Sequence, residues 1–292
     1  YHLERNNKIA LDNLKQLTEY YKTYKELLGD FPFSSFNLVE SNHITNLDNA
    51  SYSTIAPRNF KNQSKFKNEL LEKLIRNWIA KSTYTKGKIK MWQNAFITFL
   101  VQYYPLKNTT GAKKWREKIM EETNFVNLSP DKKKQTSYKK VIFLLIEMHK
   151  KMGEEDFFYV FKSFINSYRG SEASWEDIQL FFSMKEFAQQ KEIFEFYLNE
   201  NEILDITLEH ISVFQDTLKF AITQNNSPQT IHLPIKITTK NNELDKEILI
   251  DKAQNQFEYF IDDKILELEI DPNSEILKKT VNEPKKLHWI AK

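Results

Sequence analysis

Glu72, Lys73 and Arg76 are the residues of this sequence whose types and spacing bear most directly on chemistry. They lie in the segment ELLEKLIRNW (69–78), where apolar residues recur at helical spacing, which predicts an amphipathic helix. Glu72 and Arg76 are four residues apart, so their side chains share one helix face and can form an ion pair. On a solvated surface such a pair contributes about 0.3–0.5 kcal/mol to stability. The alternative is that these charged residues replace the functional groups of a former catalytic site.

Other patterns that carry chemistry are missing from the sequence. The chain has no cysteine, which excludes disulfides, thiolate metal ligands and cysteine nucleophiles. It contains no G-x-S-x-G nucleophile motif, and with only five glycines it has no phosphate-binding glycine loop. The six histidines are scattered, so no two of them can bind zinc from one helical turn. His149 lies in a helical segment, and we expect it to be packed or solvated rather than metal-bound.

The composition narrows the class of protein and its partners. With 292 residues, 40% hydrophobic and 28% charged, the chain is typical of globular proteins and long enough for two domains. Its 42 basic and 40 acidic residues leave a net charge of +2, which gives no electrostatic reason to expect nucleic acid or an anionic membrane as a partner. No apolar run reaches the roughly 18 residues needed to span a bilayer, so we expect no membrane insertion. The first residues already have a helical pattern, and we expect the chain to be a segment of a longer polypeptide.

Hydrophobic periodicity predicts an α+β protein, with a helical part followed by a β part. The aromatic segment at 31–41 alternates like a strand, and Ser174 and Asp177 have the spacing of a capping box. After about residue 202 the period changes from 3.6 to 2, which is typical of a small antiparallel β-sandwich. We therefore predict a helical domain over 1–201 and a β-domain over 202–292. The predicted helices span residues 6–28, 62–81, 89–104, 111–122, 131–152 and 154–168, and two shorter ones follow in WEDIQLFF and KEIFEFYLNE.

Several local motifs occur in an order that points to one family. The segment LLGDFPFSSFNLV (27–39) precedes the helix of Glu72, and a Tyr-x-Lys motif at Tyr138 follows it, 15 residues before Gly153-Glu-Glu-x-Phe. The strands LPIKITT, KEILID and ILELEIDP then end the chain. In this order the motifs resemble the aminopeptidase N family of zinc metallopeptidases, the gluzincins. The resemblance covers nearly the whole chain but not that family's N-terminal β-domain. It implies a mainly helical, thermolysin-like catalytic domain followed by a terminal β-domain.

The family binds zinc through the motif H-E-x-x-H-x(18)-E, in which the first Glu activates the zinc-bound water. A tryptophan typically follows two residues after the second His. Placing Trp78 in that position puts the first His at Glu72, the catalytic Glu at Lys73 and the second His at Arg76. The resemblance therefore implies that the zinc helix is retained and its working residues are replaced.

The third zinc ligand falls on Ala95 in the same register. Trp92, three residues earlier, matches the Trp of the family's W-L-x-E-G-F pattern, so two tryptophans agree on the spacing. Ala95 has no donor atom, and Arg76 cannot deprotonate and repels a cation. Lys73 adds a second positive charge, and Glu72 alone offers one carboxylate where three protein ligands are expected. We therefore expect no metal and no cofactor at this site.

The resemblance also implies which residues line the former substrate groove. The family's G-A-M-E-N segment is matched by NASYS (49–53), with Tyr52 in place of the Glu that holds the substrate's amino terminus. Tyr138 matches the tyrosine that donates a hydrogen bond to the transition-state oxyanion, although a packing or capping role would place a tyrosine there equally well. Tyr52, Glu72, Arg76 and Tyr138 are the predicted binding residues.

The resulting prediction is a pseudoenzyme, a catalytically inactive relative of the zinc aminopeptidases. Its expected partner is a peptide or protein segment held in the former groove, or another domain of the same polypeptide. The family resemblance alone favours an extracytoplasmic place in the bacterial envelope. Two alternatives stay open: a working metallo-aminopeptidase with ligands from elsewhere, such as His43 and His149, and a purely structural module.

Overall fold

The computed structural model describes two compact units of the chain. One comprises Tyr1–Lys107 with Leu145–Lys191, and the other comprises Asn108–Leu144 with Glu192–Lys292. The residues described are 7–41, 49–61, 63–86, 91–121, 130–184, 191–198, 203–279 and 287–291.

Helices dominate the described chain up to Leu198, and long strands begin at Ile206, which confirms the predicted change of period near residue 202. The domain boundary at 201/202 stays a prediction. The helices are α1 (Asn7–Leu28), α2 (Pro57–Lys61), α3 (Gln63–Ile79), α4 (Met91–Thr98), α5 (Thr110–Glu121), α6 (Pro130–Met152), α7 (Glu154–Ser167), α8 (Trp175–Phe182) and α9 (Lys191–Leu198). The strands are β1 (Asn37–Glu40), β2 (Tyr52–Ile55), β3 (Tyr84–Thr85), β4 (Glu172–Ala173), β5 (Ile206–Phe214), β6 (Thr217–Gln224), β7 (Ile231–Thr239), β8 (Glu243–Ile250), β9 (Gln254–Phe260), β10 (Ile265–Ile270) and β11 (His288–Ile290).

Two helix ends follow from residues at their boundaries. Gly29 follows α1 with a φ of 83°, and its N–H donates to the carbonyl of Lys25 at 2.9 Å. A left-handed residue of this kind closes a helix, and glycine adopts it without a Cβ penalty. At the start of α8, the backbone N–H of Asp177 donates to Ser174 Oγ, and the Asp177 carboxylate accepts from the Ser174 N–H at 2.7 Å. This is the predicted capping box.

The helix predicted over 89–104 is shorter and changes type along its length. The α-helical hydrogen bonding ends at Thr98, and a π-helical turn (Phe99–Tyr103) and a 3₁₀ turn follow. The N–H of Tyr104 donates to the carbonyl of Phe99, five residues back. Pro105 has no N–H to continue the ladder, so the chain leaves the helix there.

The strand predicted over 31–41 is also shorter, because the aromatic residues at its start pack against other rings and do not join a strand. Only β1 is extended, and it pairs in parallel with β2. The ring of Phe31 instead packs edge-on against Trp78, with 4.9 Å between centroids, and contacts the rings of Phe33 and Phe36.

The core of the first unit is built largely from aromatic rings on α4, α7 and α8. Phe96 stacks on Phe161 with 4.0 Å between centroids and 7° between the ring planes. Trp92 packs edge-on against Phe164 at 5.4 Å, and Phe96 also contacts Phe182. The phenylalanines of α7 are all part of this core, with Phe157, Phe158, Phe161 and Phe164 buried.

The second unit contains the predicted small antiparallel sandwich. Three strands form one sheet in the order β5-β6-β9, and four form another in the order β11-β10-β7-β8. All the pairings in both sheets are antiparallel. One hydrophobic cluster draws alternate residues from both sheets, for example Phe220 from the first and Leu233 from the second. This is the two-layer packing that strand alternation predicts.

Candidate functional site

The apolar stripe of α3 determines which of its residues can reach a site. The helix buries six apolar residues along one face, so Glu72 and Arg76 lie outside this stripe with partly exposed side chains. The buried residues, each at most 4% exposed, are Leu70, Leu71, Leu74, Ile75, Trp78 and Ile79.

Glu72 and Arg76 form the ion pair that their spacing predicts. Arg76 Nη2 lies 2.7 Å from Glu72 Oε1. The Arg76 side chain is 29% exposed and the Glu72 side chain 45% exposed. The pair is therefore at the surface of the first unit and both side chains are accessible.

Arg76 also connects α3 to the helix that carries the third predicted position. Its Nη1 donates to Asn94 Oδ1 at 3.2 Å. Asn94 directly precedes Ala95, which is fully buried. The structure thus brings Glu72, Arg76 and the turn of α4 before Ala95 into one hydrogen-bonded group.

Lys73 lies in a different environment from its two charged neighbours. Its side chain is largely buried, with Nζ 3.9 Å from Glu69 Oε1. Glu69 also accepts a hydrogen bond of 2.7 Å from Asn59 Nδ2. An ammonium group therefore stands where the family resemblance places the catalytic carboxylate.

Asn77 joins α3 to the segment that holds Tyr52. The amide is fully buried, and its Oδ1 accepts a 2.8 Å hydrogen bond from the backbone N–H of Ser51. Its Nδ2 donates to Ser53 Oγ at 3.3 Å and to the carbonyl of Lys73 at 3.0 Å. Sequence reasoning missed this residue, although an amide beside Trp78 in an otherwise apolar stripe was a signal that it has buried partners.

Tyr52 begins β2 next to this link, with a partly buried side chain. Its backbone exchanges two hydrogen bonds with Asn49, of 2.9 and 3.1 Å. Ser51 in the same turn has a φ of 60°, which is an uncommon conformation for a residue with a Cβ. The turn is therefore a constrained one, held on α3 by Asn77.

Tyr138 is on α6, in the part of the helix that belongs to the second unit. Its side chain is partly buried. Glu72, Arg76 and Ala95 belong to the first unit, and a shared groove with Tyr138 stays a prediction.

His149, one of the alternative zinc ligands, lies among aromatic rings and one carboxylate. Its ring contacts those of Phe99 and Phe157, and its Nε2 is 3.9 Å from Glu154 Oε2. Burial lowers the pKa of His149 to about 4, with a smaller effect from the charge of Lys107. Lys107 itself pairs with Glu154, so that carboxylate is already engaged.

The other alternative ligand, His43, lies outside the described residues. Among the residues that the structure does describe, no group of three His, Asp or Glu side chains able to hold a metal ion gathers around Arg76. The working-enzyme alternative therefore gains no ligand set among the described residues around Arg76.

Comparison with known proteins identifies the fold. No protein-family model matches the sequence, and no curated protein matches it. Among solved structures, aminopeptidase A from Legionella pneumophila is similar over 97% of this chain and 36% of its own, with a TM-score of 0.70 and 11% sequence identity. An M1 zinc metallopeptidase from Deinococcus radiodurans is similar over 64% of this chain and 45% of its own, with a TM-score of 0.53 and 11% identity. Over the matched residues this chain shares the fold of both proteins.

The aminopeptidase fold confirms the resemblance read from the motifs at the level of architecture. At 11% identity the likeness concerns the fold alone, and this chain spans little more than a third of the Legionella protein. Within the described residues, none of the helices of this aminopeptidase fold is both long and apolar enough to cross a membrane.

Proposed function

We propose that this chain is a catalytically inactive aminopeptidase-like module that holds a peptide or protein segment. The observation that carries the proposal is the group formed by Glu72, Arg76 and Asn94. It occupies the helix positions where the family resemblance places two zinc ligands and the neighbour of the third. Arg76 places a guanidinium where the family has an imidazole, and this guanidinium donates hydrogen bonds to Glu72 and Asn94.

The chemistry of the four positions that the resemblance assigns to zinc binding and catalysis supports loss of activity. They are Glu72, Lys73, Arg76 and Ala95. Hydrolysis by a gluzincin needs three protein ligands, a zinc-bound water and a carboxylate base. Arg76 places a guanidinium, which offers donors and no acceptor, in the place of a zinc ligand, and the largely buried side chain of Lys73 stands in the place of the base. Ala95 offers a methyl group. One carboxylate, Glu72, is left, and it is already paired at 2.7 Å.

The exposure of the ion pair supports a binding role. Because Glu72 and Arg76 are both partly exposed, an incoming peptide can exchange hydrogen bonds with either of them. A guanidinium offers paired donors to a carboxylate, and a carboxylate can hold an amino terminus. The segment bound can belong to another protein or to another domain of the same polypeptide.

One observation favours the structural alternative instead. The hydrogen bond from Arg76 to Asn94 ties α3 to α4, and a residue that only joins two helices needs no ligand. Peptide affinity separates the two proposals, because substitution of Arg76 should lower the affinity of a binding module and leave a structural module unaffected.

Two measurements test the proposal. Purified chain should hydrolyse no aminoacyl arylamide, with or without added zinc, and hydrolysis that a chelator abolishes would overturn the inactive assignment.

In the second measurement, binding to an array of random peptides is compared between the parent and Arg76→Gln. We expect at least a fivefold loss in the variant, while Lys22→Gln, which removes an exposed ion pair with Glu19 on α1, should bind as the parent does. Equal peptide binding by the parent and by Arg76→Gln would contradict the binding role and favour a purely structural module.

Restoring the family's ligands tests the register itself. The variant E72H/K73E/R76H/A95E should bind one more zinc ion per chain than the parent, because the two histidines lie one helical turn apart beside the turn of α4. The variant E72H/K73E/R76H, which keeps Ala95, is the matched control and should bind that additional zinc more weakly. No additional zinc in either variant would show that the register is wrong.

A further inference from the structure

Three metal-ligating side chains meet in the second unit, on the sheet β11-β10-β7-β8. They are Glu267 and Glu269 on β10 and His288 on β11, and one ligand atom from each lies within 4.8 Å of the others. The family resemblance gives these residues no ligand role, and the proposed function does not use them. Among the described residues, no other group of three His, Asp or Glu side chains meets this criterion.

Strand register explains why the three side chains meet. In the antiparallel pairing of β10 with β11, Glu269 lies directly opposite His288, and Glu267 lies opposite Ile290. Residues two apart on a strand point to the same face, as do directly opposed residues on neighbouring strands. All three side chains therefore project from one face of the sheet, and the contact between His288 Nε2 and Glu267 Oε1 confirms that they are adjacent.

The backbone that carries these ligands is anchored in the core on the opposite face. Leu268, between the two glutamates, is fully buried. Leu287 and Trp289, on either side of His288, pack against the same hydrophobic cluster. Each ligand is thus flanked by core residues, which limits its movement and reduces the ordering needed to bind an ion.

The local charges suit a divalent cation. Two carboxylates and a neutral imidazole balance a charge of +2. Lys236, opposite Glu269 on β7, is held by Glu243 at 2.9 Å, so its charge is partly compensated. The side chains of His288 and Glu267 are 35% and 30% exposed, so an ion can reach them from solvent.

We propose that Glu267, Glu269 and His288 form a zinc-binding site. Zinc binds imidazole nitrogen and carboxylate oxygen at about 2.0–2.2 Å with tetrahedral geometry. Three such protein ligands leave the fourth position to water. An imidazole ligand selects zinc and similar transition metals over calcium and magnesium, which prefer oxygen. Bound zinc joins β11 to β10 through side chains in addition to their backbone hydrogen bonds.

The competing explanation is a plain ion pair across the two strands. An ion pair needs only Glu267 and His288, whereas a zinc site also needs Glu269. The decisive variant is therefore Glu269→Gln, which keeps the size of the side chain and removes its charge.

Zinc chloride titrated into the chelator-treated 292-residue chain by calorimetry tests the site. We expect one zinc per chain, with affinity at least about tenfold lower in Glu269→Gln and in His288→Gln. His232→Gln is the matched control, because His232 also pairs with a glutamate across two strands, at 3.3 Å from Glu247, but without a second carboxylate. Its zinc affinity should equal that of the parent.

Thermal unfolding adds a readout that does not depend on heats of binding. Zinc should raise the Tm of the parent and of His232→Gln but not of Glu269→Gln, because a ligand stabilises only the form that binds it. Circular dichroism of the zinc-free variants establishes that each is folded. Parent protein that binds no zinc, or Glu269→Gln that binds it as tightly as the parent, would overturn the proposal. Loss of zinc in Glu72→Gln alone would assign the ion to α3, which would overturn both this site and the inactive assignment.

Discussion

Asn77→Ala should destabilise the first unit strongly, because a single buried amide links α3 to the turn before β2. The Asn77 side chain is fully buried and makes three hydrogen bonds, to the N–H of Ser51, to Ser53 Oγ and to the carbonyl of Lys73. The carbonyl of Lys73 keeps its helical partner, the N–H of Asn77 itself, when the side chain is removed. The cost therefore falls on the other two groups.

The magnitude follows from those two groups. Ser53 is fully buried and loses the amide that donates to its hydroxyl. The N–H of Ser51, in a turn with a φ of 60°, loses its acceptor at 2.8 Å. A buried polar group left without its partner costs about 1–3 kcal/mol, and the partly buried N–H of Ser51 and the 3.3 Å bond to Ser53 place both groups near the low end of that range. Asn77→Ala should thus lower the free energy of unfolding by about 2–3 kcal/mol.

Urea unfolding followed by near-UV circular dichroism measures this loss, and hydrogen exchange locates it. The backbone amide of Ser51 should exchange faster in Asn77→Ala, because its acceptor is gone. Asn166→Ala is the control: that exposed amide on α7 accepts one hydrogen bond from Arg169, and its removal should change stability by less than about 0.5 kcal/mol. A loss below about 0.5 kcal/mol in Asn77→Ala, with unchanged exchange at Ser51, would refute the link between the turn and α3.

Three further predictions concern the same unit. A double-mutant cycle on Glu72→Gln and Arg76→Gln should give a coupling of about 0.5 kcal/mol in urea unfolding, as expected for a partly exposed pair at 2.7 Å; a coupling above about 2 kcal/mol would contradict this. Because the folded-state pKa of His149 is about 4, below the unfolded value of about 6.5, the unfolded chain binds the extra proton first. The parent should therefore lose up to about 3 kcal/mol of stability as the pH falls from about 6.5 to about 4, and His149→Gln should show a shallower loss; identical pH profiles would contradict the assignment. Phe161→Ala removes the ring stacked on Phe96 and should cost about 3–5 kcal/mol in thermal or urea unfolding, whereas a cost below about 1 kcal/mol would mean that the core closes over the gap.

Local patterns predicted most of the secondary structure. The apolar stripe of α3, the glycine after α1 and the capping box of α8 are signals carried by a few neighbouring residues, and the structure has them where the sequence places them. Two segments differ from the prediction: the α-helical hydrogen bonding predicted to residue 104 gives way to a π-helical turn after Thr98, and the aromatic residues before β1 pack on Trp78 without joining a strand.

The candidate site was only partly within reach of sequence reasoning. The ion pair between Glu72 and Arg76 follows from their spacing alone. The hydrogen bond from Arg76 to Asn94 does not, because it joins two helices whose approach depends on the packing of both. The loss of activity and the place of Tyr138 in a shared groove stay predictions.

The sequence by itself determined the succession of helices and strands and the face that each buries, because both depend on residues within a few positions of one another. The tertiary structure decided which distant residues became partners. Asn77 meets Ser51 across 26 residues, and Glu269 meets His288 through a strand pairing. Such contacts depend on the packing of helices and on strand register, and a shift of one residue in register would turn Glu267 and Glu269 to the opposite face.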